Sequence, residues 1–178
     1  MTVLTFGGER RWAAIAMLVI AVLELTGCAS APPTGKAVSS ITATYPTPDE
    51  SRAATLELFE ATRELIGGTD WEIDGEWYGT CTLPDGSAGA RYIRQDGVFV
   101  TIDSMTVVKQ IAELWESRGY GGVTVERKPS GNGFDITYPM DAERVFLQAG
   151  ITDYSAVIHM SGGCIPGDAD ELTHALVE

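Results

Sequence analysis

Ala90-Arg91-Tyr92-Ile93-Arg94-Gln95-Asp96-Gly97-Val98-Phe99-Val100-Thr101-Ile102 is the stretch whose reading decides the fold. Its apolar and aromatic residues follow the two-residue period of half-buried strands, and Asp96-Gly97 is a dipeptide suited to a tight hairpin turn. The expectation is therefore two strands, 90–95 and 98–102, joined at Asp96-Gly97. Before them, 71–83 reads as a third strand. After them, 123–128 and 134–138 flank Ser130-Gly131-Asn132-Gly133 as a hairpin, and 145–149 with 154–160 make another.

Two helices interrupt these strands. Thr47-Pro48-Asp49-Glu50 carries a cap, a proline fitted to the first helical position and the acid of a capping box. Ala54, Leu58, Ala61 and Leu65 then recur at helical spacing until Gly67-Gly68. A second helix follows Asp103 or Ser104, with Val108, Ile111, Ala112 and Trp115 on one face and Gly119 as its stop. The order is helix, three strands, helix, four strands. It predicts an α+β domain whose mostly antiparallel sheet has two helices packed on one face. Leu172, Ala175 and Leu176 suggest a further short helix in the tail.

The N-terminus is of a different kind. Residues 13–23 contain only Ala, Ile, Met, Leu and Val behind Arg10-Arg11. Eleven helical residues reach roughly 17 Å against a hydrocarbon core of about 30 Å, too short to span. A basic start, a short apolar middle and small residues thereafter make a signal peptide. Leu25-Thr26-Gly27-Cys28 resembles the lipobox of bacterial lipoproteins, which implies cleavage before Cys28 and a diacylglycerol thioether on it. The expected domains are a leader at 1–27, a lipidated flexible tether at 28–47 and one α+β domain at 48–178. The tether is rich in Ala, Pro, Ser, Thr and Gly, a composition unable to build a core, and spans roughly 25 Å on average. The chain is then placed at the cell membrane, lipid-anchored on the extracytoplasmic face. Arg10-Arg11 alone leaves the choice between Sec and Tat export open.

The formal charge is -13. Glu9, Arg10, Arg11 and Glu24 cancel within the leader, so the whole excess belongs to the mature chain. Binding to phosphate chains relies on Lys and Arg clusters, and nucleic acid is excluded as a partner. With Cys28 lipidated, Cys81 and Cys164 have one possible partner each in an oxidising compartment. A bridge closing so long a loop contributes roughly 4.5 kcal/mol in the chain-entropy description. Only His159 and His174 are available beside them and no C-x-x-C occurs, so neither a metal nor another cofactor is expected.

Asp70, Glu72, Asp74 and Glu76 alternate with Trp71, Ile73, Gly75 and Trp77, which on a strand places the acids on one solvated face. Asp70-x-Glu72-x-Asp74-Gly75 imitates the start of an EF-hand loop, but Cys81 stands where the twelfth-position acid is needed. Trp77, Tyr78 and Tyr92 are the candidate ligand-binding residues, since aromatics with a polar handle suit a sugar or peptide groove. His159 with Ser161 is the candidate for hydrolysis, although no G-x-S-x-G elbow surrounds any serine.

The lipobox, the Ser/Thr/Pro tether, Trp71 before Cys81, the Gly-ended second helix and the late Cys164 together resemble small actinobacterial cell-envelope lipoproteins of the LppA-like kind. That resemblance implies envelope localisation and an α+β fold, and carries no activity onto named residues. The function expected is a membrane-anchored, non-enzymatic module that binds an envelope protein or a small ligand. The alternatives are an envelope hydrolase using His159 and Ser161 and a purely structural assembly factor.

Overall fold

Thr47 starts α1 (Pro48–Ile66): its hydroxyl accepts the Glu50 N–H at 3.2 Å, and the Glu50 carboxylate accepts the Thr47 N–H at 2.8 Å. Gly67, at φ 77°, ends the helix. The computed structural model describes residues 44–139 and 145–177. The expected leader at 1–27, the expected lipidation site Cys28 and the expected tether as far as residue 43 lie outside the described residues.

Beyond α1 the described elements are β1 (Glu72–Thr82), β2 (Ala88–Phe99), α2 (Ser104–Ser117), β3 (Thr124–Arg127), β4 (Phe134–Tyr138), β5 (Phe146–Ile151), β6 (Ser155–Ser161) and α3 (Ala169–Ala175). The strands form one sheet in the order β1-β2-β6-β5-β4-β3, every neighbouring pair antiparallel. The fold is α+β. Among the described residues no helix is long and apolar enough to cross a membrane.

Two strands, not three, separate α1 from α2. Asp96-Gly97 is not a turn: β2 runs straight through it, with Asp96 opposite Ile73 of β1 and Ile158 of β6. A turn there would break a ladder on each side of a central strand. The chain reverses instead at Pro84-Asp85-Gly86, where Gly86 has φ 87° and donates to Leu83 O at 2.9 Å. Proline presets the first turn position and glycine accepts positive φ, so this is the stronger turn signal.

The acidic strand departs from simple alternation as well. A bulge between Ile73 and Gly75 shifts the register, and Glu76 pairs across from Arg94 while Gly75 pairs across from Gln95. Adjacent positions of a strand face opposite ways. Asp74 bonds Gln95 on one face, and Glu76 turns to the other. The four acids therefore do not share one solvated face.

On β2 the buried positions are Gly89, Ala90, Tyr92, Arg94, Asp96 and Val98. Val98 joins Phe59 of α1, Ile111 and Trp115 of α2, and Ile136, Leu147 and Ile158 of the sheet in the main core. Tyr78, Ala90 and Tyr92 form a second cluster with Ile165 and Ala169, against which Leu56 and Leu172 pack. The stripe that α1 buries is Ser51, Thr55, Leu58, Phe59, Thr62 and Ile66, rotated from the Ala54-Leu58-Ala61-Leu65 line. Hydroxyls are tolerated there because Thr55 and Thr62 donate to the carbonyls of Ser51 and Leu58, each at 2.9 Å. Thr62 also accepts the indole N–H of Trp115 at 3.1 Å.

Cys81 and Cys164 are joined in a disulfide across 83 residues of sequence, tying the end of β1 to the segment after β6. That segment continues the sheet briefly, since Ala90 and Ile165 exchange backbone hydrogen bonds at 2.9 and 2.8 Å. Gly89 permits the approach: a Cβ there would lie 2.5 Å from Ile165 O and 3.0 Å from Cys164 Sγ. The outer edge of β1 is covered at one point by α3, whose Thr173 hydroxyl accepts the Tyr78 N–H at 2.8 Å.

Charged groups seat α1 on the sheet. Asp96 is fully buried and accepts from Arg94 Nε at 2.6 Å and Nη2 at 3.1 Å. Arg94 Nη1 reaches Glu76 at 2.7 Å, and Glu76 also accepts from Arg52 Nη2 at 2.6 Å and Tyr92 OH at 2.9 Å. Arg63 comes within 3.8 Å of Asp96. Removing one partner of a buried pair leaves the other charge uncompensated, which costs about 3–5 kcal/mol. Asp96→Asn is expected to lose stability of that size in urea unfolding; a loss below about 1 kcal/mol, the scale of a surface pair, would contradict the assigned role.

Candidate functional site

Six separate pieces of chain meet at the end of the sheet where β6 finishes. Thr44, Tyr45 and Pro46 approach from the N-terminal side, and α1 contributes Glu50, Ser51, Ala54, Thr55 and Leu58. Thr82 and Pro84 come from the β1–β2 hairpin, Tyr120 from beyond α2, Val145 and Leu147 from around the start of β5, and residues 161–165 from the end of β6. They enclose a cavity of about 540 Å³, within the roughly 300–1,000 Å³ typical of small-molecule sites.

The cavity follows from local chemistry. Gly162 brings the end of β6 against α1, because a Cβ there would lie 2.6 Å from Thr55 Oγ1 and 3.2 Å from Ser51 Oγ. The Glu50 carboxylate is occupied by the backbone N–H and hydroxyl of Thr47 at 2.8 and 3.0 Å, and these bonds hold its carboxyl below the ordinary value. The remaining bulky side chains around the cavity are chiefly aliphatic and aromatic.

The aromatic candidates are not brought together. Tyr78 and Tyr92 are buried at 6% and 0% exposure and meet edge to face, with ring centroids 5.6 Å apart. Tyr78 OH donates to Pro48 O at 3.1 Å and Tyr92 OH to Glu76, so their polar handles hold the fold together. Burial, with the Glu76 hydrogen bond and charge second, pushes the Tyr92 hydroxyl up to about 12. Trp77 lies on the other face of the sheet, its six-membered ring across Gly75, where a Cβ would come within 2.5 Å of it.

That other face gathers Trp77, His159 and Ser161. Trp77 is opposite Ile93, Ile93 opposite Ser161 and Ser161 opposite Phe146. In the next row His159 lies between Gln95 and Gln148. The imidazole centroid is 5.4 Å from that of Phe146 and 6.4 Å from that of Trp77. His159 and Ser161 thus share a face, but no hydrogen bond joins them. Ser161 is only 3% exposed, and its hydroxyl has no hydrogen-bond partner among the described residues. Asp153, the acid nearby in sequence, accepts from Ser104 at 2.5 Å instead of orienting the imidazole. A nucleophile needs a base in hydrogen-bond reach and that base needs an orienting group; among the described residues neither contact is made.

Among the described residues no three His, Cys, Asp or Glu side chains come together as metal ligands. The cavity was not legible in the sequence, because its lining comes from six places with no common motif. The nearest signal was Gly162-Gly163 at the end of a strand pattern, the composition of a close backbone approach.

No protein-family model matches the chain, and no curated protein matches it. Among solved structures it is similar to a DUF4853 family protein from Actinomyces odontolyticus, at 13% identity and a TM-score of 0.45, over 72% of this chain and 77% of that one. That designation carries no enzymatic activity and does not name an LppA-like group.

Burial, and after it the positive charge of Arg91, holds the His159 imidazole below its ordinary value. The unfolded chain then binds the extra proton first as pH falls, so this residue withdraws stability below about 6.5. A proton NMR titration is expected to give His159 a midpoint under 6.5, and His159→Gln to flatten its share of the acid dependence. A midpoint at or above 6.5 would contradict the burial.

Proposed function

We propose that the chain is an extracytoplasmic protein held at the cell membrane through a lipid on Cys28, and that it acts as a non-enzymatic module binding a small apolar ligand. The observation that carries the ligand reading is the cavity of about 540 Å³ beside α1. Its lining is concave and mostly apolar with a few hydroxyls, the composition of a small-molecule pocket. The anchor reading is supported by the leader pattern, the lipobox resemblance and the tether composition. A single acyl chain holds a protein marginally and two or more hold it durably.

A second reading is favoured by a group of exposed apolar side chains at the far end of the sheet. Phe99, Tyr154 and Val157 are 88%, 73% and 47% exposed. They suit a protein partner of the envelope, and recovery of a stoichiometric partner after cross-linking in membranes, lost in Phe99→Ser, would support it.

For the leading reading, Cys28→Ala is expected to release the protein from membranes. The neutral dye Nile red is expected to bind the released chain, and Ala54→Trp, which fills the cavity from an exposed helix position, to weaken that binding at least tenfold. Retention of Cys28→Ala on membranes would count against the anchor, and dye binding unchanged by Ala54→Trp against the cavity.

A further inference from the structure

We infer that the cavity takes the hydrocarbon tail of an uncharged membrane lipid and leaves the headgroup outside. The inference rests on the reading of the cavity as the ligand site and names the class of its ligand. Ala54, Leu58, Pro84, Val145, Leu147 and Ile165 supply apolar wall, a surface with no directional demand on its occupant. A chain of methylenes fits such a wall, and the Thr55 hydroxyl, which donates to Ser51 O at 2.9 Å, is already spent as a donor.

Charge decides the headgroup. Among the described lining residues there is no Lys, Arg or His, and the only ionisable side chains besides the two tyrosines and the bridged Cys164 reduce to Glu50, an acid. A phosphate or free carboxylate drawn inside would lose its hydration with no cation among the described lining residues to replace it, beside a like charge. An ester or hydroxyl headgroup carries no such penalty.

Position decides the source. Thr44, Tyr45 and Pro46 form part of the cavity wall, and they are the first described residues of the stretch that leads back to Cys28. A flexible stretch of that length spans roughly 20–25 Å on average. With Cys28 in the bilayer, a tether of that length keeps the domain that holds the cavity close to a source of lipid. A bilayer lipid tail is therefore the nearest abundant ligand of the right chemistry.

The test uses the full chain carrying Cys28→Ala, kept free of detergent, with Nile red displaced by monoacylglycerols of increasing chain length and by the matching fatty acids at pH 8. Each added methylene is expected to tighten binding roughly threefold to fourfold until the cavity is filled. The monoacylglycerol is expected to bind at least tenfold tighter than the fatty acid of equal length, and Ala54→Trp to weaken monoacylglycerol binding, read directly by calorimetry, at least tenfold while leaving the urea midpoint in place. Equal or tighter binding of the fatty acid, or affinity independent of chain length, overturns the inference with the cavity reading intact. Failure of Nile red to bind at all removes the cavity reading itself. The lipidated wild-type chain in phosphatidylcholine vesicles is expected to take up a monoacylglycerol as Cys28→Ala does; a cavity blocked only in the lipidated chain would overturn the bilayer source in favour of the protein's own anchor.

Discussion

The fully buried carboxylate of Asp96 is the constraint on which the other features depend. A charge removed from water must be met by an opposite charge and by hydrogen bonds, and Arg94 supplies both from two positions along the same strand. Arg94 then needs a second acid, which Glu76 provides from β1, and Glu76 needs further donors, which Arg52 and Tyr92 provide. Burial alone would raise the Glu76 carboxyl; the hydrogen bonds from Arg52 and Tyr92 and the charges of Arg52 and Arg94 reverse this and hold it below its ordinary value. That contribution to stability is present above the unfolded carboxylate value of about 4.3 and is lost as pH falls through the lower folded one.

The network links α1 to β1 and β2 at two heights. Arg52 grips the sheet near the start of the helix and Arg63 approaches Asp96 near its end, with its guanidinium also 4.9 Å from the Trp71 ring. Phe59 fills the space between, under Arg94 at 5.8 Å. Placed this way, the first half of α1 overhangs the end of β6, and the void beneath it is the cavity. Fold and candidate site are thus one arrangement: the ion network fixes the helix, and the helix roofs the pocket.

Much of this was legible in residues. The cap at Thr47-Pro48-Asp49-Glu50, the stops at Gly67 and Gly119, and the strands 134–138 and 154–160 all follow local rules that packing did not override. The cysteine pairing was legible too, because reserving Cys28 left two partners. The failures have a common cause, which is that tertiary partners changed what a short motif does. Asp96-Gly97 has turn chemistry, yet Asp96 finds Arg94 and both of its neighbouring strands, so the strand continues. Glu76 belongs to an alternating acidic run, yet a bulge at Asp74 turns it inward to two arginines. Tyr78 and Tyr92 have the look of a ligand platform, yet their hydroxyls are consumed by Pro48 O and Glu76. The rotation of the α1 face is of the same kind, since Ser51, Thr55 and Thr62 become core residues only where their hydroxyls are satisfied or packed.

Amide hydrogen exchange along α1 in Glu76→Gln is the most direct test that the network seats this helix. Loss of the carboxylate frees Arg52 and weakens Arg94, so the amides of 51–66 are expected to exchange at least tenfold faster, while β5 and β6 keep their protection. Unchanged protection of α1, or a loss spread evenly over helix and sheet, would contradict the claim that buried charge holds the roof of the cavity in place.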